Sequence, residues 1–565
     1  MKKIYSLLTI TLFMFILIAC NVERVGEEEN IDTAKTQLFV GVFDGGYGDE
    51  WVKNAAARFE EKYKDVSFET DKKGVQIIPK KSRDYYGPLL KNDIAGLRQD
   101  IFFTETVYYY DFVNEGLFLD ITDVVEKPLN YEFVEGVENN STETQSIKDK
   151  MRPGHVEFLK TPDNSYYGLP FYEANYGFIY DVDLFDDELL YFAAEGTGNS
   201  YGFVTSLDAN RSAGPDGDIT TLHDNGLPAT YEEFFKLADY MVRKNIVPIT
   251  WAGNVQSYVS SLLTSLWADF EGVDQMMLNY NYNGLAENIV NGFDANGNPI
   301  LTSVNINLDN GYLTYAKQAG RYHALNFLEQ LLSNRRYFNS NLTFSPSQTH
   351  NDAQNSFLSG KYLSNNDTVG ILIDGTWWQH ESGNVFDALE KAFGVDASAK
   401  NRKFAVMPLP KADDNHLGSY TIYEANFPMA FINANVETWK QPLAKAFLQF
   451  VHTDESLIEF TKTTNTFRSF AYELEETDLA ELTHWGRSLY NLHVTADFVT
   501  PYSHNEVYLK NISLYADELS IWNTSVGTTP YNIPTMAMFN SNISSRQYFD
   551  GLSNYWTKDF WERRR

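Results

Sequence analysis

The chain has 565 residues, a formal net charge of −31 and one cysteine. Single hydrophobic cores stop growing near about 250–300 residues, so this length predicts two or more lobes. The acidic balance argues against nucleic acid and against electrostatic docking on anionic lipid, and one cysteine excludes an internal disulfide or a thiolate metal site. The 36 Tyr and 10 Trp residues suit a ligand that is half apolar and half hydroxyl.

The N-terminus has the pattern of a secretory signal. Two lysines precede an apolar run at 4–18, which is shorter than the roughly 20 apolar residues of a spanning helix. The run ends in Leu-Ile-Ala-Cys, which resembles the lipobox of bacterial lipoproteins. This resemblance implies a signal peptide at 1–19 and lipidation of Cys20, and an ordinary signal peptide with an incidental cysteine is the alternative.

Residues 20–37 are charged and poor in apolar side chains, which predicts a lipidated flexible tether. The elements predicted next are strands at 38–43, 75–78 and 100–103, with helices from Asp49 and near 89–97. This crossover spacing predicts a mostly parallel sheet covered on both faces. In such sheets ligands bind outside the carboxyl ends of the strands, which indicates the loops at 44–49 and 104–108.

Strands and helices continue to alternate further along the chain. Thr230 and Glu233 form the pattern of a capping box before a helix with a buried stripe. A short buried strand at 369–373 leads to Asp374, and further helices are predicted at 312–332 and 436–452. The class is therefore α/β.

Several segments resemble one known family in the same order along the chain. They include DIFFTETVYYYDFVNEGLFLDIT at 100–122, YYGLPFYEANYGFIYDVDLF at 166–185 and LPATYEEFFKLADYMVRKNIVPITWAGN at 227–254. The chain resembles the extracellular solute-binding proteins of family 1, the sugar-binding lipoprotein components of ABC importers. The resemblance covers residues 38–470.

The resemblance implies a two-lobed periplasmic-binding-protein-like fold with hinge crossovers near Tyr172, Tyr423 and Arg468. The implied divisions are lobe 1 at 38–171 and 425–468, lobe 2 at 172–424, and a C-terminal segment at 469–565 that belongs mainly to lobe 2. The chain is longer than usual for the family. The surplus lies at about 186–225 and 272–310, where Gly, Asn and Asp predict loops or hairpins on lobe 2.

Two motifs within the surplus have alternative interpretations. Asp216, Asp218 and Asp224 would suit a structural calcium ion, but turn formation explains the same residues. The pattern Gly-Asn-Ser-Tyr-Gly at 198–202 fits a nucleophile elbow, yet its flanks favour a hairpin. No zinc, nucleotide or dinucleotide motif is present in the sequence, so no cofactor is expected beyond that possible ion.

The candidate ligand-binding residues follow the segments that resemble the family's ligand loops. They are Tyr47, Asp49, Glu105, Tyr108, Glu173, Asn175, Trp251, Tyr258, Asp374, Trp377, Trp378, Tyr423, Glu424 and Arg468. Asp49 is equally placed to cap a helix. Trp377 resembles the stacking tryptophan of the family's G-x-W turn, with Trp378 as the alternative, and the last three residues are chosen because they fall at the later crossovers.

The function implied is hinged capture of a carbohydrate, expected to be an oligosaccharide, by a lipid-anchored monomer that delivers it to the permease subunits of an ABC importer. The protein is expected on the outer face of the cytoplasmic membrane and is not expected to be an enzyme. One alternative is a lipid-anchored glycoside hydrolase using carboxylates among Glu105, Glu173, Asp374 and Glu424. The others are a peptide-binding importer component and, more remotely, an adhesive or structural lipoprotein.

Overall fold

The computed structural model describes residues 30–137, 141–363, 365–418, 420–511 and 520–564. The predicted signal peptide and Cys20 lie outside these residues, as does most of the predicted tether. Within the described ranges, no helix is both long and apolar enough to cross a membrane.

The strands are β1 Thr36–Phe43, β2 Val75–Ser82, β3 Ile101–Thr104, β4 Leu169–Pro170, β5 Tyr176–Asp181, β6 Val247–Thr250, β7 Gly284–Phe293, β8 Pro299–Ile306, β9 Val369–Gly375, β10 Phe404–Met407, β11 Thr421–Tyr423, β12 Met429–Ile432, β13 Asp497–Val499, β14 Thr524–Val526 and β15 Thr529–Tyr531. The helices up to the end of β9 are α1 Glu50–Lys62, α2 Gly87–Asp93, α3 Tyr109–Asn114, α4 Thr122–Glu126, α5 Ile147–Lys150, α6 Pro153–Leu159, α7 Val182–Glu188, α8 Tyr231–Arg243, α9 Ser257–Asn281, α10 Tyr312–Lys317, α11 Ala319–Ser333, α12 Ser340–Thr343 and α13 His350–Ser359. The later helices are α14 Trp378–Glu381, α15 Gly383–Phe393, α16 Gln441–Phe450, α17 Asp454–Thr464, α18 Glu476–Glu481, α19 His484–Thr495, α20 Glu506–Lys510, α21 Pro534–Ser541, α22 Ser545–Tyr555 and α23 Lys558–Glu562.

The first sheet has the strand order β2-β1-β3-β12-β4. β1 pairs in parallel with β2 and with β3, because α1 and α2 carry the chain back between these strands. β12 lies antiparallel between β3 and β4, although it comes from a distant part of the chain. Two separate stretches of sequence therefore build the first sheet.

The second sheet has the strand order β10-β5-β9-β6. β6 and β9 are parallel, whereas β5 is antiparallel to both β9 and β10. Both sheets are mixed rather than mostly parallel, which corrects that part of the prediction. β5 and β12 enter their sheets directly from a crossover between lobes, so no local strand-helix-strand unit fixes them in the parallel direction.

The crossovers between the two sheets lie side by side. The backbone N–H of Ala425 donates to the carbonyl of Ala174 at 2.8 Å, and Tyr172 forms an antiparallel bridge with Arg468. The chain thus passes between the sheets at adjacent points near the three predicted hinge positions.

Helix α8 shows how local sequence sets an element in the second lobe. The Thr230 hydroxyl caps the helix by accepting from the N–H of Glu233 at 3.3 Å, as predicted. The Glu233 carboxylate accepts from the N–H of Ala229 at 2.7 Å, one residue before the partner that a capping box requires. The stripe of Phe234, Leu237, Ala238 and Met241 is buried, which explains why this face packs against the second sheet.

The two surplus regions differ in structure. Residues 189–225 form turns joined by short bridges, and the Asn199 side chain closes the 198–202 motif by accepting from the N–H of Tyr201 at 2.8 Å. The motif is therefore a turn, as its flanks predicted. In the other region α9 continues to Asn281 across a break at Gly272, where φ is 74°, and β7 and β8 then form a separate antiparallel ribbon.

The C-terminal segment packs onto the second lobe through α22 and the β14–β15 hairpin. Arg321 of α11 is fully buried there, with its guanidinium 4.6 Å from the ring centre of Trp267 and 4.7 Å from that of Trp522. It donates to the carbonyl of Ile521. Desolvation lowers the pKa of this guanidinium to about 9, and aromatic faces and carbonyls surround it.

Candidate ligand cleft

Two loops from different sheets meet between the lobes. The loop after β1 carries Tyr47, and Thr376 directly follows β9. The hydroxyls of these two residues lie 3.1 Å apart, and Thr376 donates to the carbonyl of Glu173 at 2.9 Å. One chain of hydrogen bonds therefore links the first sheet, the second sheet and the first crossover.

Glycines allow these loops to approach so closely. A Cβ on Gly46 would stand 2.4 Å from the Cβ of Trp377. Gly48 has a φ of 61°, and a Cβ there would meet Nε2 of His380 at 2.9 Å. The glycines of the first loop are thus needed for the contact with the turn after β9.

Aromatic rings from both lobes line the junction. The ring centre of Trp377 lies 5.1 Å from that of Tyr176 and 6.4 Å from that of Tyr258. On the other side, the rings of Tyr47 and Tyr172 are 4.4 Å apart in an edge-to-face arrangement. Such rings offer an apolar face and a hydroxyl together, which matches the C–H faces and hydroxyls of a sugar.

The rim on the first lobe adds a further aromatic pair. The rings of Phe43 and Tyr86 are 5.6 Å apart, and Tyr86 is 38% exposed. Tyr86 forms a parallel bridge with Glu105, and the carboxylate of Glu105 accepts from the hydroxyl of Tyr172. Phe43, Glu105 and Tyr172 border a small cavity of about 10 Å³ on the first-lobe side of the junction.

A buried set of charged and polar residues, called here the crossover ion cluster, joins the first two crossovers to α6 and the C-terminal part of the chain. Its members are Arg152, His155, Glu173, Glu424, His493 and Thr500. Arg152 forms ion pairs with both glutamates. His493 Nδ1 lies 2.7 Å from Glu173 Oε1, His155 Nε2 lies 3.3 Å from Glu424 Oε2, and the Thr500 hydroxyl donates to Glu424 Oε2 at 2.8 Å.

The electrostatics of this cluster favour the ionised glutamate. Burial by itself would raise the pKa of Glu173, but the charges of Arg152 and His493 outweigh that effect and bring the pKa to about 2. Burial lowers the pKa of His155. Oε1 of Glu173 and both carboxylate oxygens of Glu424 therefore contact protein partners.

A second cluster of polar side chains surrounds the turn that carries Trp377. Gln354 of α13 donates to Asp374 at 3.0 Å and to Glu381 at 2.8 Å, and His350 Nε2 lies 3.2 Å from Glu381 Oε1. Burial, with the nearby charge of Glu381, raises the pKa of Asp374 to about 7. The hydrogen bond to Glu381 raises the pKa of His350.

A cavity of about 60 Å³ extends from the crossovers along β5. Its walls include Glu173, Asn175, Asp374 and Tyr423 at the crossover end, and apolar side chains of β10 and α19 beyond them. Small-molecule sites commonly occupy about 300–1,000 Å³, so this cavity does not hold a sugar ring in the conformation seen here.

The structure brings most of the candidate residues to the junction or to the cavity beside it. These are Tyr47, Glu105, Glu173, Asn175, Tyr258, Asp374, Trp377, Tyr423 and Glu424. Tyr108 is half-buried just after β3. Their contacts with a ligand stay a prediction.

Four candidates lie elsewhere. Trp251 packs on Phe338 and Phe344 in the core, and the ring of Trp378 is enclosed by other rings. Arg468 is fully buried and donates to the carbonyl of Phe171 at 2.5 Å. Asp49 stands at the N-cap of α1 but pairs with Lys53 at 3.1 Å, and its side chain makes no capping hydrogen bond.

Trp251, Trp378 and Arg468 are core residues with fully buried side chains. Sequence alone does not show which residues of these segments face the cleft and which face the core. Burial lowers the pKa of Arg468 to about 9, which fits a cation surrounded by rings rather than by solvent.

The sequence analysis missed several residues of the junction. Tyr172, Tyr176 and Thr376 directly adjoin chosen residues. His350 and Gln354 are four positions apart on α13, a spacing that places them on one helix face. That pair of polar residues before a buried strand was the available signal. Arg152, in contrast, lies in no motif that indicates an ion pair.

The three aspartates of the calcium hypothesis make other contacts. Asp224 accepts from the hydroxyl of Tyr420 and from the N–H of Asp216. Asp216 accepts from the N–H of Asp218 at 2.7 Å, and Asp218 accepts from the N–H of Thr220 at 2.8 Å. Turn formation accounts for the contacts of Asp216 and Asp218, and Asp224 is held by the distant Tyr420. No group of three or more His, Cys, Asp or Glu in the described part of the chain could hold a metal ion.

Comparison with known proteins gives the class of this molecule. The family model for bacterial extracellular solute-binding proteins matches residues 54–481, so the chain belongs to this family, as its motif order predicted. No curated protein sequence matches the chain.

Solved structures support the fold. A chitin oligosaccharide binding protein has a TM-score of 0.52 and 14% identity, over 93% of this chain and 100% of that one. A structure from work on xylan utilization by the thermophilic bacterium Caldanaerobius polysaccharolyticus has a TM-score of 0.50 and 13% identity, over 92% and 99% of the two chains. At these identities the likeness concerns the fold, and the predicted two-lobed periplasmic-binding-protein-like α/β class is confirmed.

Proposed function

We propose that this solute-binding protein captures a carbohydrate, in the form of an oligosaccharide, between its two lobes. The observation that carries the proposal is the junction itself, where Tyr47, Thr376 and Trp377 bring rings and hydroxyls of both sheets together. One of the two structural neighbours described above is a chitin oligosaccharide binding protein, and the other comes from work on xylan utilization. Both agree with this ligand class.

Capture requires the lobes to separate first. The cavity beside the crossovers is only about 60 Å³, and the contact of Tyr47 with Thr376 and the close approach of Gly46 to Trp377 hold the two loops together where we place the ligand. We infer that opening breaks these contacts and that the sugar replaces them on closure. Closure is then driven by contacts that the sugar makes only with both lobes.

The proposal extends to the setting of the protein. Lipidation of Cys20 would hold the receptor on the outer face of the cytoplasmic membrane and raise its concentration near an importer. The closed form would then deliver the sugar to ABC permease subunits as a monomer. We also propose that the lobe boundaries lie at 171, 424 and 468, and that the protein binds the sugar without catalysing a reaction on it.

Mass spectrometry of the protein purified from membranes tests the anchor. The expected N-terminal peptide begins at Cys20 and carries acyl groups on it. A mature chain that begins elsewhere, or an unmodified Cys20, would refute the anchor and leave the capture proposal standing.

Thermal unfolding of the full chain in detergent solution, with a panel of oligosaccharides and peptides, tests the ligand class. A ligand at about 100 times its Kd adds about 2.7 kcal/mol to stability, so one glycan class should raise the Tm. Mass spectrometry of the same samples should recover the glycan uncut. A shortened glycan would favour the hydrolase, and a shift with peptides alone would favour the peptide-binding component.

A further inference from the structure

A second groove lies on the outer surface of the second lobe, and is called here the α8 groove. It is formed by one face of α8 and by the turn at 200–203, and it encloses about 520 Å³. This volume falls within the range of small-molecule sites. The groove shares no lining residue with the cavity beside the crossovers or with the small cavity on the first-lobe side of the junction.

The position of α8 separates this groove from the cleft. α8 ends at Arg243, just before β6 begins at Val247, and β6 then runs toward the cleft to end at Thr250. Arg243 therefore lies at the edge of the second sheet that is remote from the junction.

An aromatic platform forms one wall of the α8 groove. Tyr201 is 46% exposed, and its ring lies 5.7 Å from that of Tyr240. Tyr240 in turn stacks on Phe203, with ring centres 4.0 Å apart and an interplanar angle of 6°. The Asn199 side chain fixes the turn by accepting from the N–H of Tyr201, so the exposed ring is held by local structure rather than by a partner.

The other wall alternates in charge along α8. Glu232, Lys236, Asp239 and Arg243 are spaced by four, three and four residues, which places them on one helix face. All four line the groove. The acid-base pairs at i,i+4 are at the spacing that favours ion pairing, but the described residues show no ion pair for any of the four. The carboxylate of Asp239 accepts from the hydroxyl of Tyr337 at 3.0 Å.

The cations are instead held against rings. The guanidinium of Arg243 lies 5.1 Å from the ring centre of Tyr201, and the ammonium of Lys236 lies 5.6 Å from that of Phe192. Their N–H groups and the carboxylate of Glu232 remain available to a ligand. The groove thus combines an exposed ring with hydrogen-bond donors and acceptors of both signs.

We propose that the α8 groove is a second saccharide site that binds a neutral sugar unit outside the main cleft. A sugar hydroxyl donates to a carboxylate and accepts from an ammonium or guanidinium, so a face of alternating charge matches a hydroxylated ligand. A charged ligand would be repelled at both ends of α8, because an anion meets Glu232 and Asp239 and a cation meets Lys236 and Arg243. The exposed ring of Tyr201 supplies the surface for the C–H face of the sugar.

Ligand-detected saturation-transfer NMR tests this site with four defined probes, cellobiose, xylobiose, maltose and N,N′-diacetylchitobiose, on the full chain in detergent solution. Titrations compare the wild type with Tyr201→Ala, Glu232→Gln and Trp377→Ala. We expect at least one probe to bind the wild type and Trp377→Ala, with an affinity that Tyr201→Ala lowers at least tenfold and Glu232→Gln lowers less. Leu222→Ala is the matched control, because Leu222 is 81% exposed in the same surplus region and lies outside the groove.

The variants separate this inference from the proposed function. If binding of every probe depends on Trp377 and none depends on Tyr201, the second site is refuted and the main cleft stands. If Tyr201→Ala weakens the binding of a probe and Trp377→Ala does not, the second site stands, and the main cleft is tested separately with the glycan that the ligand panel identifies. Binding that Leu222→Ala weakens as much as Tyr201→Ala, or the absence of any binding, refutes the α8 groove.

Discussion

The junction between the lobes and the crossover ion cluster both contain residues that the sequence predicted to bind the ligand. The two regions are held together by different kinds of interaction. The junction is held by neutral contacts, such as the hydroxyl pair of Tyr47 and Thr376 at 3.1 Å. The cluster is held by buried charges, with Arg152 paired to both Glu173 and Glu424. Both lie where the chain passes from one lobe to the other.

The difference shows which groups a ligand can use. A sugar can replace a neutral hydrogen bond or a ring contact at little net cost, because it supplies an equivalent partner. Separating a carboxylate from its buried cation costs several kcal/mol unless a new cation arrives. We therefore propose that the junction contacts the ligand and that the cluster stabilises the crossovers.

The largest expected effect concerns the cluster. Arg152→Met keeps much of the side-chain volume but leaves Glu173 and Glu424 buried without their cation, so we expect a loss of about 3–5 kcal/mol in the free energy of unfolding. Urea unfolding measures it. Lys53→Met is the control, because its pair with Asp49 has a half-exposed lysine and should contribute about 0–1 kcal/mol. Equal losses in the two variants would mean that the cluster does not stabilise the hinge.

The next effect concerns the junction. Trp377→Ala removes the ring that contacts Tyr176 and Tyr258, and we expect the affinity for the glycan identified in the ligand panel to fall about 30-fold, or about 2 kcal/mol. Isothermal titration calorimetry measures this affinity. The control is Trp439→Ala, because the Trp439 ring is 46% exposed and bonds only locally to Glu437 at 2.9 Å. Unchanged affinity in Trp377→Ala would place the ligand elsewhere.

A smaller effect tests closure itself. Gly46→Ala introduces a Cβ that would stand 2.4 Å from Trp377, and Gly46 has no positive φ that alanine would strain. The closed arrangement without sugar should therefore become less favourable. Because the sugar replaces this contact on closure, the glycan affinity should rise by up to about tenfold, or about 1.4 kcal/mol. Gly383→Ala is the control, since a Cβ there meets nothing within 4 Å. Small-angle scattering should show a larger radius of gyration for unliganded Gly46→Ala, and an unchanged radius would contradict this account.

The sequence alone predicted the fold more fully than the site. Periodicity located β1, β3, β9 and α8, since a buried strand or an amphipathic helix is a property of consecutive residues. Periodicity did not predict the antiparallel direction of β5 and β12, because their pairing depends on residues that are hundreds of positions apart in the sequence.

The site was predictable only as a set of loops. The loops after β1 and β9 do meet. The sequence does not show, however, which of the adjacent residues Trp377 and Trp378 faces the junction. Glu173 and Glu424 looked like free carboxylates because nothing near them in sequence indicates Arg152. An ion pair between distant segments leaves no local pattern, whereas a cap or a turn does.

The smallest expected effect is the pH dependence of the cluster. The pKa of Glu173 is about 2 in the folded chain against an ordinary value near 4.5, so its contribution to stability is complete above about pH 4.5 and declines as the pH falls toward 2. Between pH 6 and pH 4 the wild type should lose about 0.8 kcal/mol that Glu173→Gln does not lose. Urea unfolding of both proteins at the two pH values measures this difference, with Glu473→Gln, at an exposed position, as the control. If Glu173→Gln loses as much stability as the wild type, Arg152 does not keep the Glu173 carboxylate ionised. Glu173 would then again be a candidate for direct contact with the ligand.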